Sequence, residues 1–207
     1  MFSSVPKWGD SRQRQLDRLI ESAKRETERE YEAIRKVGAA IIQASVNNRD
    51  EAKKWIEAPT EAKRLERESF VFFEFIYFYT HVTMRHAVTM LTASQKQKIL
   101  EYLENLIPSV AIDSYFAHWP SNLKEKMKNE FVEKQCDAEV EYTELVRTSN
   151  SSDGLLKSFF LLACHISDLC GCEAKAPEAR KTFVDLAIEE WTKMDIDSLM
   201  AGVNSVS

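Results

Sequence analysis

The sequence predicts an all-α fold, a single irregular bundle of six or seven helices around a central helix rich in aromatic residues. Gly and Pro number only five each among 207 residues, and long segments with few breakers are typical of helices. Apolar residues recur at steps of three and four in most segments, whereas alternating, strand-like runs are absent. The third observation is segment 69–93, the most apolar and most aromatic run of the chain.

Segment 69–93 predicts the central helix, which we place at residues 60–92. It reads SFVFFEFIYFYTHVTMRHAVTMLTA, and its apolar side chains cover nearly the whole circumference of a helix. A helix that is apolar on nearly all sides must be buried on nearly all sides. A membrane-spanning helix would need roughly 20 predominantly apolar residues, whereas Glu74, His81 and Arg85 interrupt this segment. We therefore expect the core helix of a soluble bundle and no membrane partner.

A long N-terminal helix is predicted from residue 10 or 11 to about residue 45. Residues 1–9 are expected to be irregular, because Pro6 and Gly9 interrupt any pattern. The helix carries one narrow apolar seam on a densely charged surface; its members include Leu16, Ile20, Ala23, Thr27, Tyr31, Ile34 and Ile41. Two interpretations remain open: the helix packs along its own domain, or its seam pairs with a second chain as in a coiled coil.

Turn and cap residues separate the N-terminal helix from the central one. The pair Asn47 and Asn48 predicts a turn, because both residue types favour turn conformations. A short helix is expected to follow through Glu57. Pro59 then interrupts the chain, and the Thr60 side chain can cap the first turn of the central helix.

Two helices are predicted between residues 94 and 148. Ser94 with Gln97 matches a capping box at the start of the first. Pro108 is expected to kink or break that helix, because proline lacks the amide hydrogen that the helix needs. Ser121 can cap the second, which is strongly amphipathic.

The C-terminal third predicts two further helices and a tail. Residues 149–154, SNSSDG, form the clearest loop of the chain. A buried helix is expected at 155–169, as the closest core partner of the central helix, and Pro177 opens the last helix, which continues to about residue 200. The tail 202–207 is expected to be disordered. Because the 149–154 loop is too short to separate two cores, we predict one helical domain over residues 10–201.

Charge and cysteine content limit the partners and the compartment. The net charge is -5 and the pI about 5.5, whereas phosphate binding requires a surplus of Lys and Arg. We therefore expect no nucleic-acid partner. The N-terminus, MFSSVPKWGDSRQ, lacks the apolar core of a secretion signal. The four cysteines are then expected to be reduced thiols in a cytoplasmic protein.

One constellation of polar residues falls on the two most apolar helices. Glu74, His81 and Arg85 share one face of the central helix, and His165 and Asp168 share one face of helix 155–169. If the two helices pack together, these faces can converge. Facing carboxylates and imidazoles can build a metal site in a bundle, so Glu74, His81, His165 and Asp168 are candidate metal ligands. The spacing departs from the di-iron pattern, which requires Glu-x-x-His twice.

Other interpretations of the same constellation stay open. The five residues could form a structural network, with Glu74 paired to Arg85 or His165 paired to Asp168. They could also face water or line a pocket for an organic ligand. Nothing in the sequence identifies a cofactor.

Two further groups contain cysteine or histidine. Cys164, His165, Cys170 and Cys172 are irregularly spaced, whereas a structural zinc site usually takes two separated ligand pairs. We interpret these cysteines as buried structural residues. His118 precedes Trp119 and Pro120, and is interpreted as a loop residue at a helix end, because the sequence shows no nucleophile signature for it to activate.

No phosphate-binding glycine loop, dinucleotide fingerprint or His-Glu-x-x-His zinc motif is present in the sequence. The leading hypothesis is therefore a non-enzymatic interaction or regulatory protein, which forms a homodimer or binds a protein partner through its N-terminal helix. The alternative is a bundle that binds a metal or a small ligand, with oxidoreductase activity among its possible functions.

Overall fold

The computed structural model describes residues 8–147 and 151–205, which contain seven α-helices, two short 3-10 helices and no strand. The helices are α1 (Trp8–Ala52), α2 (Glu61–Met90), α3 (Ala93–Tyr115), α4 (Ser121–Arg147), α5 (Ser151–Cys170), α6 (Ala176–Lys193) and α7 (Ile196–Asn204). The 3-10 helices follow α1 and α5, at Lys53–Trp55 and Glu173–Lys175. The predicted all-α multi-helix bundle is confirmed.

Helix α2 lies at the centre of the bundle, as the aromatic run predicts. Its side chains are buried from Ser69 to Thr83, except that Phe70 and Glu74 are only half-buried. Helices α1, α3, α4, α5 and α7 all contact it. The first turn and a half, residues 61–65, is exposed. No helix in the described parts of the chain is long and apolar enough to cross a bilayer.

Helix α1, rather than α5, makes the most extensive contact with α2. The expectation that helix 155–169 is its closest partner is therefore wrong. The reason is that the 45-residue α1 runs on beside α2. Asn48 donates a hydrogen bond to the Tyr79 hydroxyl, and the Arg49 guanidinium lies 5.5 Å from the centre of the Phe72 ring.

The turn predicted at Asn47 and Asn48 is wrong, because α1 continues through both residues to Ala52. Each asparagine finds a partner on another helix. Asn48 bonds to Tyr79, and the Asn47 side-chain nitrogen donates to Glu190 Oε2 at 2.8 Å. Hydrogen bonds of this kind replace the local turn contacts that asparagine otherwise favours.

The predicted N-terminal cap of α2 is confirmed, whereas that of α3 is wrong. The Thr60 hydroxyl accepts from the Lys63 amide at 3.2 Å, as expected. The capping box of α3 is Thr92 with Gln95, not Ser94 with Gln97. Gln95 is buried and also donates to the carbonyl of Val203, at 3.3 Å, and this tertiary contact favours the earlier start.

Pro108 lies inside α3 and does not break it. A proline in a helix interior costs about 3 kcal/mol. Its neighbours Ile107, Ala111 and Ile112 are almost fully buried, and each buried Ile contributes roughly 1.5–3 kcal/mol. Burial on both sides of the proline therefore offsets its cost.

The predicted last helix is divided into α6 and α7. Asp195 separates them with a φ of 45°, in the left-handed region, which aspartate tolerates better than most residues. This break turns Ile196, Met200 and Val203 into the core. Helix α7 therefore continues to Asn204, so residues 202–204 of the tail expected to be disordered are helical; residues 206 and 207 lie outside the described chain.

Two other boundaries differ from the sequence expectation. Helix α5 begins at Ser151, so part of the predicted 149–154 loop is helical, while residues 149 and 150 lie outside the described chain. Helix α1 begins at Trp8, inside the stretch expected to be irregular, and residues 1–7 are likewise not described. Between Glu21 and Arg29, every side chain of α1 that the structure describes is exposed.

Candidate functional site

A groove with a volume of about 780 Å³ runs between α2 and α4. Ligand pockets in proteins commonly measure about 300–1,000 Å³ and are mostly apolar. The apolar lining comes from both helices, the α3–α4 turn and the end of α5: Ala62, Leu65, Phe70, Phe73, Tyr77, Trp119, Pro120, Leu123, Met127 and Leu169. The groove therefore has the size and the surface of a small-molecule site.

The helical spacing of the lining residues explains the shape of the groove. On α2 they follow steps of three and four from Ala62 to Tyr77, and on α4 from Leu123 to Lys134. At 1.5 Å per residue, the wall from Ala62 to Tyr77 is about 22 Å long and the wall from Leu123 to Lys134 about 16 Å. One face of each helix thus forms a wall of an elongated groove.

Aromatic rings pack behind the groove and hold its floor in place. The ring centres of Phe73 and Phe116 are 5.7 Å apart, and those of Tyr77 and Phe131 are 5.1 Å apart. Trp119 lies 4.7 Å from Phe116. Aromatic pairs at these distances contribute roughly 0.5–1.5 kcal/mol beyond their buried area, so the floor is part of the core.

Two polar groups lie in this apolar floor. Glu74 Oε1 accepts a hydrogen bond from the Tyr142 hydroxyl at 2.9 Å and lies 2.8 Å from His165 Nδ1. Glu74 Oε2 and the Tyr77 hydroxyl make no hydrogen bond to any residue that the structure describes. Both are therefore available to a ligand.

The charges around the floor shift two pKa values. Burial raises the pKa of Tyr77 above its usual value, and the negative charges of Glu74 and Glu130 raise it further. The hydrogen bond that His165 Nδ1 donates to Glu74 raises the pKa of His165 above 6.5, and this effect outweighs the opposing effect of burial. Glu141, 3.2 Å from Nε2, acts in the same direction. The Tyr77 hydroxyl therefore stays neutral at physiological pH, in a region of negative potential.

Two lysines lie at the rim of the groove. Lys126 pairs with Glu130 at 3.5 Å. The Lys134 ammonium nitrogen lies 5.3 Å from the centre of the Phe70 ring, within the range of a cation–π contact. The rim therefore already holds a cation against one of the aromatic side chains that line the groove.

The structure brings together only some of the candidate metal ligands. Glu74 and His165 are in contact, as the packing of α2 on α5 predicts. His81 is fully buried and pairs instead with Glu139, at 2.6 Å between Nδ1 and Oε2. The rings of His81 and His165 lie 5.3 and 6.2 Å from the ring of Tyr142, so they belong to one polar layer without touching the same carboxylate.

Asp168 and Arg85 do not join this layer. The Asp168 side chain is 71% exposed and faces Arg180 of α6 at 3.6 Å, because a residue three positions on points about 60° away from His165 around the helix, and α6 lies on that side. Arg85 is exposed. The alternative pairs Glu74–Arg85 and His165–Asp168 are therefore wrong. In the described parts of the chain, no group of three or more His, Cys, Asp or Glu is arranged to hold a metal ion, and the metal site stays a prediction.

The cysteines and His118 are separate from the groove. All four cysteines lie in described segments and are free thiols, and Cys170 and Cys172 are buried. Burial raises the pKa of Cys170 to about 12, so its thiol is unreactive at neutral pH. His118 is exposed on the turn between α3 and α4.

The sequence signals for the groove are weak. From sequence, Tyr77, Trp119 and Met127 are all predicted to be core residues, because apolar side chains at helical spacing are usually buried in the core. Only the polar neighbour Glu74 and the exposed start of α2 indicated that part of this face is open. A groove depends on how closely two helices approach, which neither helix encodes alone.

Comparison of the chain with protein-family models, with curated proteins and with solved structures found no match. The groove and the exposed part of α1 are therefore the features that bear on function.

Proposed function

We propose that this chain is a non-enzymatic binding protein whose α2–α4 groove takes a small, largely apolar molecule. The observation that supports this most directly is the aromatic groove of about 780 Å³ with two available polar groups, Tyr77 and Glu74, in its floor. Binding sites for small molecules combine an apolar wall with a few placed polar groups in this way.

The residue types in the groove support binding rather than catalysis. Most nucleophilic catalysis uses a Ser, Cys, Thr or Lys side chain that an adjacent base activates. The described lining residues include no Ser, Cys, Thr or His, Lys126 is held in an ion pair, and the Lys134 ammonium lies against the Phe70 ring. His165 and Tyr142 touch Glu74 from behind the groove without lining it.

A groove-filling substitution tests this function. The neutral fluorophore N-phenyl-1-naphthylamine should bind the unmodified protein saturably at one site. Leu123→Trp should weaken that binding at least about 10-fold, because the indole fills the groove from a residue that is 38% exposed. A fluorescence titration measures both.

The matched control is Val132→Trp, on the same helix, 41% exposed and outside the groove. It should bind the fluorophore as the unmodified protein does. Equal affinity for Leu123→Trp and Val132→Trp, or the lack of saturable binding, would rule out the groove as the site.

A second candidate function, self-association or binding of a protein partner, is supported by α1. Its described side chains between residues 21 and 29 are exposed, and Tyr31, a member of the apolar seam, is 55% exposed. An exposed seam on a charged helix is typical of a helix that pairs with another. We propose a homodimer through α1 in a cytoplasmic protein, a location with which the free cysteines agree.

Light scattering of full-length variants tests the dimer. The unmodified chain should have the mass of a dimer, and the double variant Thr27→Glu, Tyr31→Glu should have that of a monomer, since two carboxylates then lie in the seam. The double variant Ala39→Glu, Gln43→Glu, which adds the same two charges at exposed positions off the seam, should remain dimeric. A monomeric mass for the unmodified chain defeats the proposal.

A further inference from the structure

We propose that the groove ligand is a lipophilic amine, in which an elongated apolar body ends in an ammonium group held between Glu74 and Tyr77. The inference rests on the proposed binding function of the groove and names the chemical class of its ligand. Three features of the site support it: the aromatic lining, the free acceptors and the negative potential at the Glu74 end of the groove.

The aromatic lining suits a cation. Phe70, Phe73, Tyr77 and Trp119 all face the groove. A cation within about 6 Å of a ring face is attracted by the electrons of the ring. The Lys134 ammonium lies 5.3 Å from the centre of the Phe70 ring, so one cation–π contact of this kind already exists in the groove.

The available polar atoms match an ammonium group. An ammonium has three N–H donors and no acceptor. Glu74 Oε2 and the Tyr77 oxygen are acceptors that no described residue uses, and both residues lie one turn apart on α2. Tyr77 remains a neutral phenol, whose oxygen can accept from a donor as well as donate.

The charges at the Glu74 end of the groove favour a cation over an anion. Glu74 and Glu141 share the single imidazole of His165, so the cluster has one negative charge in excess even when His165 is protonated. Glu130 lines the same groove, and with Glu74 it produces the negative potential at the Tyr77 hydroxyl. Over the whole groove the charges balance, because Glu66 is paired with Lys63 at 2.7 Å, Lys126 is paired with Glu130, and the Lys134 ammonium lies against the Phe70 ring. The negative potential is therefore local to the Glu74 end.

The shape of the groove gives the orientation of the ligand. The apolar residues Ala62 and Leu65 lie toward one end of the α2 wall, whereas Glu74 and Tyr77 lie toward the other. The wall is about 22 Å long at 1.5 Å per residue. An extended alkyl or aryl chain can therefore lie along the groove with its amino group at the Glu74 end.

Three probes of equal chain length separate this inference from its alternatives. Decylamine, decan-1-ol and decanoate are titrated at pH 7, below micellar concentrations, against protein loaded with N-phenyl-1-naphthylamine. Decylamine should displace the fluorophore at a concentration at least about 10-fold lower than decan-1-ol or decanoate, an advantage equal to ~1.4 kcal/mol.

The variant Glu74→Gln tests the residue that carries the inference. It removes the charge and keeps the shape, so decylamine should lose most of its advantage while decan-1-ol binds as before. Glu61→Gln removes one charge from the exposed start of α2, outside the groove, and should keep the advantage. If circular dichroism shows that Glu74→Gln is unfolded, Tyr77→Phe replaces it and should reduce the decylamine advantage.

The outcomes distinguish the two proposals. Equal affinities for decylamine and decan-1-ol, or tighter binding of decanoate, overturn the amine inference and leave the groove as a binding site. An unchanged decylamine advantage in both Glu74→Gln and Tyr77→Phe also overturns it. Failure of all three probes to displace the fluorophore, together with normal binding by Leu123→Trp, overturns the proposed function itself.

Discussion

Glu74 is the residue at which the core and the groove meet. Its Oε1 is fixed from the core side by Tyr142 and His165, while the residue also lines the groove. Burying a carboxylate is costly unless hydrogen bonds and an opposite charge compensate. The two contacts provide this compensation, and they hold the carboxylate in one orientation for a ligand.

The raised pKa of His165 predicts a pH-dependent contribution to stability. Because the folded state binds the His165 proton more tightly than the unfolded state, the stabilisation is fully present below about 6.5 and is lost as the pH rises through the higher folded pKa. His165→Gln should cost on the order of 1.5–3 kcal/mol at pH 5.5, the range for hydrogen bonds to charged groups, and less at pH 8.5.

Urea denaturation of the unmodified protein and of His165→Gln across this pH range measures the difference. Glu74, Glu141 and Tyr142 face the imidazole and are common to both proteins. A difference in the free energy of unfolding that is constant with pH, or that grows toward pH 8.5, would contradict the assignment of a stabilised imidazolium.

Helix α1 shows how tertiary contacts override local signals at the scale of an element. Periodicity correctly predicts a long helix, because apolar seam residues such as Ile34 and Ile41 recur at helical spacing and are buried. The turn signal at Asn47 and Asn48 fails, because Glu190 and Tyr79 supply partners to both side chains within a helix. Local sequence contains no information about partners more than 30 residues away.

The substitution Asn48→Ala tests this explanation. Alanine is the better helix former by up to about 0.7 kcal/mol. If the Asn48 side chain made no stabilising contact, its replacement by alanine would therefore stabilise the protein. We expect instead a destabilisation of roughly 1–2 kcal/mol, because Tyr79 loses a buried hydrogen-bond partner. Thermal or urea unfolding measures it.

Gln43→Ala, at an exposed position of the same helix, is the control and should change stability by less than about 0.5 kcal/mol. An Asn48→Ala protein that is as stable as the unmodified one, or more stable, would show that the contact with Tyr79 does not hold α1 in helical form.

At the scale of the whole molecule, the sequence predicts the class of fold and its central helix but not the surface between helices. The run from Ser69 to Thr83 is apolar on nearly all sides, which fixes its place in the core. The approach of Glu74 to His165 follows from the packing of α2 on α5. Asp168 points about 60° away from His165 around the same helix, and the position of α6, which sequence does not show, pairs it with Arg180 instead.

The groove lies beyond prediction from sequence for a related reason. Phe70, Tyr77 and Met127 have the same pattern as the core residues beside them, and only the distance between α2 and α4 leaves a space there. The break at Asp195 is likewise not predictable from sequence, because it depends on the position of the core surface on which Met200 and Val203 are buried.

The most direct test of the groove as a ligand site is a crystal structure of the protein with decylamine. We expect the alkyl chain along α2 and α4, with the amino nitrogen about 3 Å from Glu74 Oε2 and from the Tyr77 oxygen. Decylamine bound elsewhere on the molecule, or a groove closed by Phe70 and Met127 in the presence of saturating decylamine, would contradict it.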